Sequence, residues 1–152
     1  DGHDRGDRII GLWATEAVVA PCLGGSQNPP IRNTLLFHAG GTLVESPRFG
    51  PNGVPNAGGI PGLYQRGQAL GTWVYERSKR TYYIYLRFDN YVDNAYHGYS
   101  IVEREMTLSK RGMLGTGPVR STRYFVDGRE PVAVCGNAVS ARGQRVCARR
   151  CG

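Results

Sequence analysis

The sequence predicts an all-β fold: a single eight-stranded antiparallel up-and-down β-barrel with one long Gly/Pro-rich loop. Three observations predict it. Apolar residues alternate or run in short blocks, with almost no helical period. Turn-forming residues interrupt the blocks at intervals of roughly ten residues, the spacing of sandwiches and barrels. The 22 glycines of the 152-residue chain are scattered within the blocks as well as between them. A meander of many short strands removes its exposed edges by closing on itself.

The candidate strands, in order, are 8–19 (RIIGLWATEAVV), 33–38 (NTLLFH), 41–46 (GTLVES), 68–78 (QALGTWVYERS), 80–91 (RTYYIYLRFDNY), 97–109 (HGYSIVEREMTLS), 114–126 (LGTGPVRSTRYFV) and 131–142 (PVAVCGNAVSAR). Short connectors such as Ala39-Gly40, Ser78-Lys79, Val92-Asp93-Asn94, Lys110-Arg111-Gly112 and Asp127-Gly128 make sequence neighbours antiparallel neighbours in space. Gly115, Gly117 and Gly136, inside strands, suit the bends and close approaches of a small barrel. Two connectors are longer. Residues 20–32 form a Pro-rich crossover. Residues 47–67 are expected to be a structureless flap over one barrel mouth, anchored by Phe49, Ile60, Leu63 and Tyr64, with plain disorder as the competing reading. The domain reading is a flexible N-terminal tail (1–7), the barrel (8–142) and a basic C-terminal tail carrying two cysteines (143–152).

A chain of this length supports one hydrophobic core. Its net charge is +7, but the basic residues are scattered except in the tail, which argues against a nucleic-acid face built as a basic stripe. No apolar run is long enough for a membrane-spanning helix. The four cysteines, Cys22, Cys135, Cys147 and Cys151, lack the paired spacing of a zinc site and read as disulfides. A local Cys147–Cys151 loop with Cys22 tied to Cys135 is one pairing, and the others stay open at this point. Disulfides imply an oxidising compartment, so a secreted or periplasmic protein with its leader removed is expected.

Strand parity separates two sets of aromatics. In 80–91 the even positions Tyr82, Ile84, Leu86 and Phe88 are continuously apolar, so they are expected to face inward. The odd positions place Tyr83, Tyr85 and Tyr91 beside Arg87 on the outside. That stripe suits a protein interface, including self-association, or equally a set of cross-strand pairs. In 97–109, Arg104 shares a face with Val102, Met106 and Leu108. An inward Arg is costly unless paired, and Glu16 and Glu76 are candidate partners; a bulge returning Arg104 to solvent is the competing reading. If inside, Arg104 would orient a ligand in a mostly apolar pocket walled by Trp73, Tyr75, Tyr82, Phe88 and Tyr124. Core packing is the competing role for each of these aromatics.

Gly11-Leu12-Trp13 resembles the Gly-X-Trp signature of the lipocalins and the wider calycin superfamily, whose eight-stranded meander has the same strand count. The resemblance implies that an Arg of the last strand, here Arg142, packs across the Trp13 ring to close the barrel's base. The chain is also similar to a group of short exported bacterial proteins, through Gly11 to Trp13, Phe37 to Leu43 and Gly71 to Trp73. A looser likeness, in barrel type and tyrosine content, is to the allene oxide cyclase and dirigent barrels, which steer reactions of small molecules.

Enzyme signatures such as GxSxG, HExxH or a P-loop are absent from the sequence. His38 and His97 stand apart from any sequence-adjacent Asp or Cys. If Asp1 is a processed N-terminus, its amine with His3 offers a square-planar nitrogen set for Cu(II) or Ni(II); a disordered polar tail is the competing reading. No cofactor is expected. The functional expectation is non-catalytic binding of a small apolar or aromatic molecule, or of a partner protein. The rivals are a cyclase or isomerase using Arg104 and tyrosines, and a structural or self-assembling exported protein.

Overall fold

The computed structural model describes residues 5–143; His3, Cys147 and Cys151 lie outside the described residues. The strands are β1 (Gly11–Pro21), β2 (Ile31–Phe37), β3 (Thr42–Pro47), β4 (Val54–Pro55), β5 (Leu63–Arg66), β6 (Ala69–Glu76), β7 (Thr81–Val92), β8 (Ala95–Leu108), β9 (Leu114–Phe125) and β10 (Val132–Arg142). Eight of them close an antiparallel barrel in the order β1-β2-β3-β6-β7-β8-β9-β10. The seam is made by β10 returning to β1, from Trp13 opposite Arg142 to Pro21 opposite Val134.

Local sequence explains the tight connections. Asp93 and Asn94 both adopt left-handed backbone (φ 50° and 65°) between Val92 and its partner Ala95. That is the two-residue hairpin whose twist matches the flanking strands, and Asp and Asn tolerate it.

The expected structureless flap at 47–67 is instead partly ordered into the sheet. β6 ends its pairing with β7 at Leu70 opposite Arg87, and β5 takes over further along, from Arg66 opposite Asn90 to Tyr64 opposite Val92. The Gly67 amide bridges the gap by donating to the Asp89 carbonyl at 3.1 Å. β4 pairs with β5 in turn. The reason is unpaired backbone: β7 runs past the end of β6, and its exposed N–H and C=O groups need partners.

One end of the barrel is plugged. A 3-10 turn at Arg5–Ile9 tucks under the strands, and Ile9 is fully buried with Trp13, Phe37, Leu43, Trp73, Tyr82 and Met106. Residues 5–7 form the start of this turn. The Trp13 indole N–H donates to the Ile9 carbonyl at 2.7 Å. The Arg142 guanidinium lies 4.4 Å from the Trp13 ring centroid and donates to the carbonyls of Ile10 and Gly112 at 3.0 Å each and to that of Arg8. The opposite end has a smaller apolar cluster of Ala17, Val19, Val119 and Ala138. A Cys22–Cys135 disulfide pins the seam there.

Candidate interior binding site

Between the two apolar clusters the barrel encloses a cavity of 110 Å³. The strand period of two delivers its lining: every second residue of each strand points inward. β7 contributes Ile84, Leu86 and Phe88, β8 contributes Val102 and Arg104, and β1, β9 and β10 contribute Ala17, Val119 and Ala138. Ile31, at the end away from the cap, is partly exposed, so the lining reaches solvent there.

Three ionisable side chains enter this apolar chamber. Glu45, on β3, is 1% exposed. Arg66, brought in by β5, donates from Nη2 to Glu45 Oε2 at 2.6 Å and lies with its guanidinium carbon 3.4 Å from the Phe88 ring centroid. Burial raises the Glu45 carboxyl above the usual range even though Arg66 pulls it back. Arg104 stands opposite Ile84 and Val119 in register and is 6% exposed. Burial, its only perturbation, lowers the Arg104 pKa to about 10.

Among the described residues, five buried side-chain N or O atoms lack a hydrogen-bond partner. Four of them belong to residues that line this cavity: Asn33 Oδ1, Glu45 Oε1, Arg104 Nε and Arg104 Nη2. Buried polar groups are normally satisfied, so their concentration at one chamber is the site's defining feature. Nearby, Tyr64 donates to Asn90 Oδ1, and Asn90 Nδ2 donates to Ser100 at 2.8 Å. This chain secures β5 to the barrel wall.

The structure divides the residues singled out from sequence. Arg104 and Phe88 line the cavity, and no β7–β8 register shift occurs near Arg104; the only one falls at Asn90/Tyr91. Trp73, Tyr75 and Tyr82 belong instead to the plugged base. Trp73 donates to the carbonyls of His38 and Thr42 at 3.0 and 3.1 Å, and Tyr82 packs 4.6 Å from Tyr75. Burial pushes the Tyr82 hydroxyl up to about 12. Tyr124 is not an interior wall: it stacks at 5.0 Å on Tyr99, whose other neighbour is the outward Arg87 at 4.1 Å. Neither proposed acidic partner reaches Arg104. Glu16 pairs with Arg32 at 3.0 Å and Glu76 with Lys79 at 3.4 Å, both on the exterior.

On the outer wall, Tyr83 and Tyr85 flank a surface groove with Val74, Glu103 and Arg120, and Tyr91 makes an edge contact with Tyr96 at 5.8 Å. Among the described residues no group of three or more His, Cys, Asp or Glu is placed to hold a metal, and no helix is long and apolar enough to cross a membrane. Sequence reasoning missed Glu45 and Arg66. The only signal was parity in GTLVES, where Leu43 and Glu45 share a face. Compared with known proteins, the chain matches no protein-family model and no curated protein.

Proposed function

We propose that this protein is a non-catalytic binding barrel that holds a small, largely apolar molecule in its interior. The observation that supports it is the 110 Å³ chamber, apolar in most of its wall, whose lining includes Asn33, Glu45 and Arg104, the residues that carry four unpartnered buried polar atoms. Polar atoms left without protein partners inside a packed core cost roughly 1–3 kcal/mol each, and a ligand that meets them offsets that cost. The volume sets the ligand's size. Drug-sized molecules occupy pockets of about 300–1,000 Å³, and a cavity of about 150 Å³ takes benzene, so the molecule is smaller than most aromatic ligands. Among the described residues no tyrosine lines the chamber, which favours binding over a cyclase-type reaction polarised by tyrosine hydroxyls.

The Trp13–Arg142 stack at a plugged base supports kinship with the calycin barrels. The Cys22–Cys135 disulfide supports a secreted or periplasmic setting. A second reading, a protein partner or second copy on the outer wall, is favoured by Leu70 and Val74, which are 65% and 62% exposed beside Tyr85.

Ala138 lines the chamber and is 1% exposed, so Ala138→Leu adds side-chain volume at its wall, at an overpacking cost of about 1–3 kcal/mol. Ligand-observed NMR with a panel of small amphiphiles tests the proposal. Binding to wild type that disappears in folded A138L supports an interior site. The same binding profile in both proteins places the ligand outside the barrel and refutes it.

A further inference from the structure

The chemistry of the chamber narrows the ligand class, an argument that rests on the interior-binding reading above. Arg66 and Glu45 cancel each other's charge at 2.6 Å. Arg104 therefore remains as the chamber's unbalanced cation, facing Ile84 and Val119 across the sheet. Its two unpartnered atoms are Nε and Nη2. These lie on one edge of the guanidinium, and their N–H bonds form the parallel fork that matches two oxygens of a planar carboxylate. A monoanion neutralises the chamber. A dianion does not, because the other guanidinium is already engaged by Glu45.

A second requirement comes from Glu45 Oε1, which is also buried and unpartnered. It needs a group that can pair with a carboxyl oxygen in either protonation state. A hydroxyl both donates and accepts, whereas an ammonium only donates and would add a second unbalanced charge. At roughly 30 Å³ per water-sized group, 110 Å³ admits a short chain and little more. We infer that the interior site takes a short-chain hydroxycarboxylate, its carboxylate on the Nε/Nη2 edge of Arg104 and its hydroxyl toward Glu45 Oε1.

Three probes small enough for 110 Å³ separate the parts of this inference: glycolate, acetate and ethylene glycol, titrated at pH 7 into protein with 15N-labelled arginine side chains. The expected result is that glycolate binds roughly tenfold tighter than either of the others and shifts the Arg104 Nε–H resonance. Arg104→Met should reduce its affinity to that of the diol. Arg104→Lys, which keeps the charge and loses the fork, should recover only a minor part. If the diol binds as well as the hydroxy acid, the carboxylate assignment is wrong and interior binding survives. Acetate equal to glycolate overturns the role given to Glu45. If no probe perturbs any lining residue, the inference fails, and it fails together with the interior-binding reading if A138L also leaves the amphiphile profile unchanged.

Discussion

A guanidinium with two free N–H groups in an apolar wall is a liability to the fold. Arg104 is 6% exposed and, among the described residues, forms none of the salt bridges, so its charge is desolvated without a paired carboxylate. Replacing even paired buried charges by well-packed apolar side chains of similar volume is often neutral or stabilising by about 1–4 kcal/mol, and an unpaired charge has no partner energy to lose. Arg104→Met should therefore raise the urea midpoint by a corresponding amount with the denaturant slope unchanged. A destabilised R104M protein would mean that the guanidinium is satisfied within the fold. Stability given up at one residue is the signature expected of a binding group. Arg104 was legible as the one charge in the apolar row Val102, Met106 and Leu108, because a period of two admits no alternative without a bulge. Tyr124 was not: Tyr124 and Phe125 are adjacent aromatics, so either parity gives an aromatic interior.

At the scale of elements, the strands with a clean alternation were read correctly, and the element that completes the site was not. β7 buries Tyr82, Ile84, Leu86, Phe88 and Asn90 in strict alternation, and the sequence shows it. β5 is four residues between Gly62 and Gly67. Its local composition reads as loop, and only the unpaired end of β7, a property of the tertiary pairing, makes it a strand. Arg66 was hidden for that reason. Glycine inside strands carried clearer information. A Cβ at Gly136 would sit 1.9 Å from the Val18 carbonyl oxygen across the β1–β10 seam, and one at Gly117 would sit 2.1 Å from that of Glu105. Backbone cannot yield as a side-chain tip can. Gly136→Ala should cost at least about 3 kcal/mol, the upper end of ordinary overpacking, whereas Gly67→Ala, with nothing within 4 Å, should stay near wild type. Thermal unfolding of the two variants compares them directly, and equal melting temperatures would show that the seam has slack.

For the molecule as a whole, the seam between first and last barrel strands is where closure is held. It is fastened at both ends: by the Arg142–Trp13 stack at the plugged base and by the Cys22–Cys135 disulfide at the other. The cavity lies between these fastenings, and Ala17, Val19, Val134 and Ala138 on the seam strands line it. The disulfide closes a loop with a sequence separation of 113. The chain-entropy account gives a loop of about that length nearly 5 kcal/mol, and measured losses from removing native disulfides run about 2–5 kcal/mol. For a domain of this size each kcal/mol corresponds to about 2–4 °C. A Cys22→Ala/Cys135→Ala protein should thus melt roughly 5–20 °C lower; the double substitution avoids leaving an unpaired thiol. The fold-level consequence is the sharper one. If the seam holds the chamber's shape, the double variant should also bind the interior ligand more weakly at temperatures where it is fully folded. Unchanged affinity with a lowered melting point would assign the disulfide to the unfolded chain alone and leave the base, with Trp13 and Arg142, as the fastening that shapes the site.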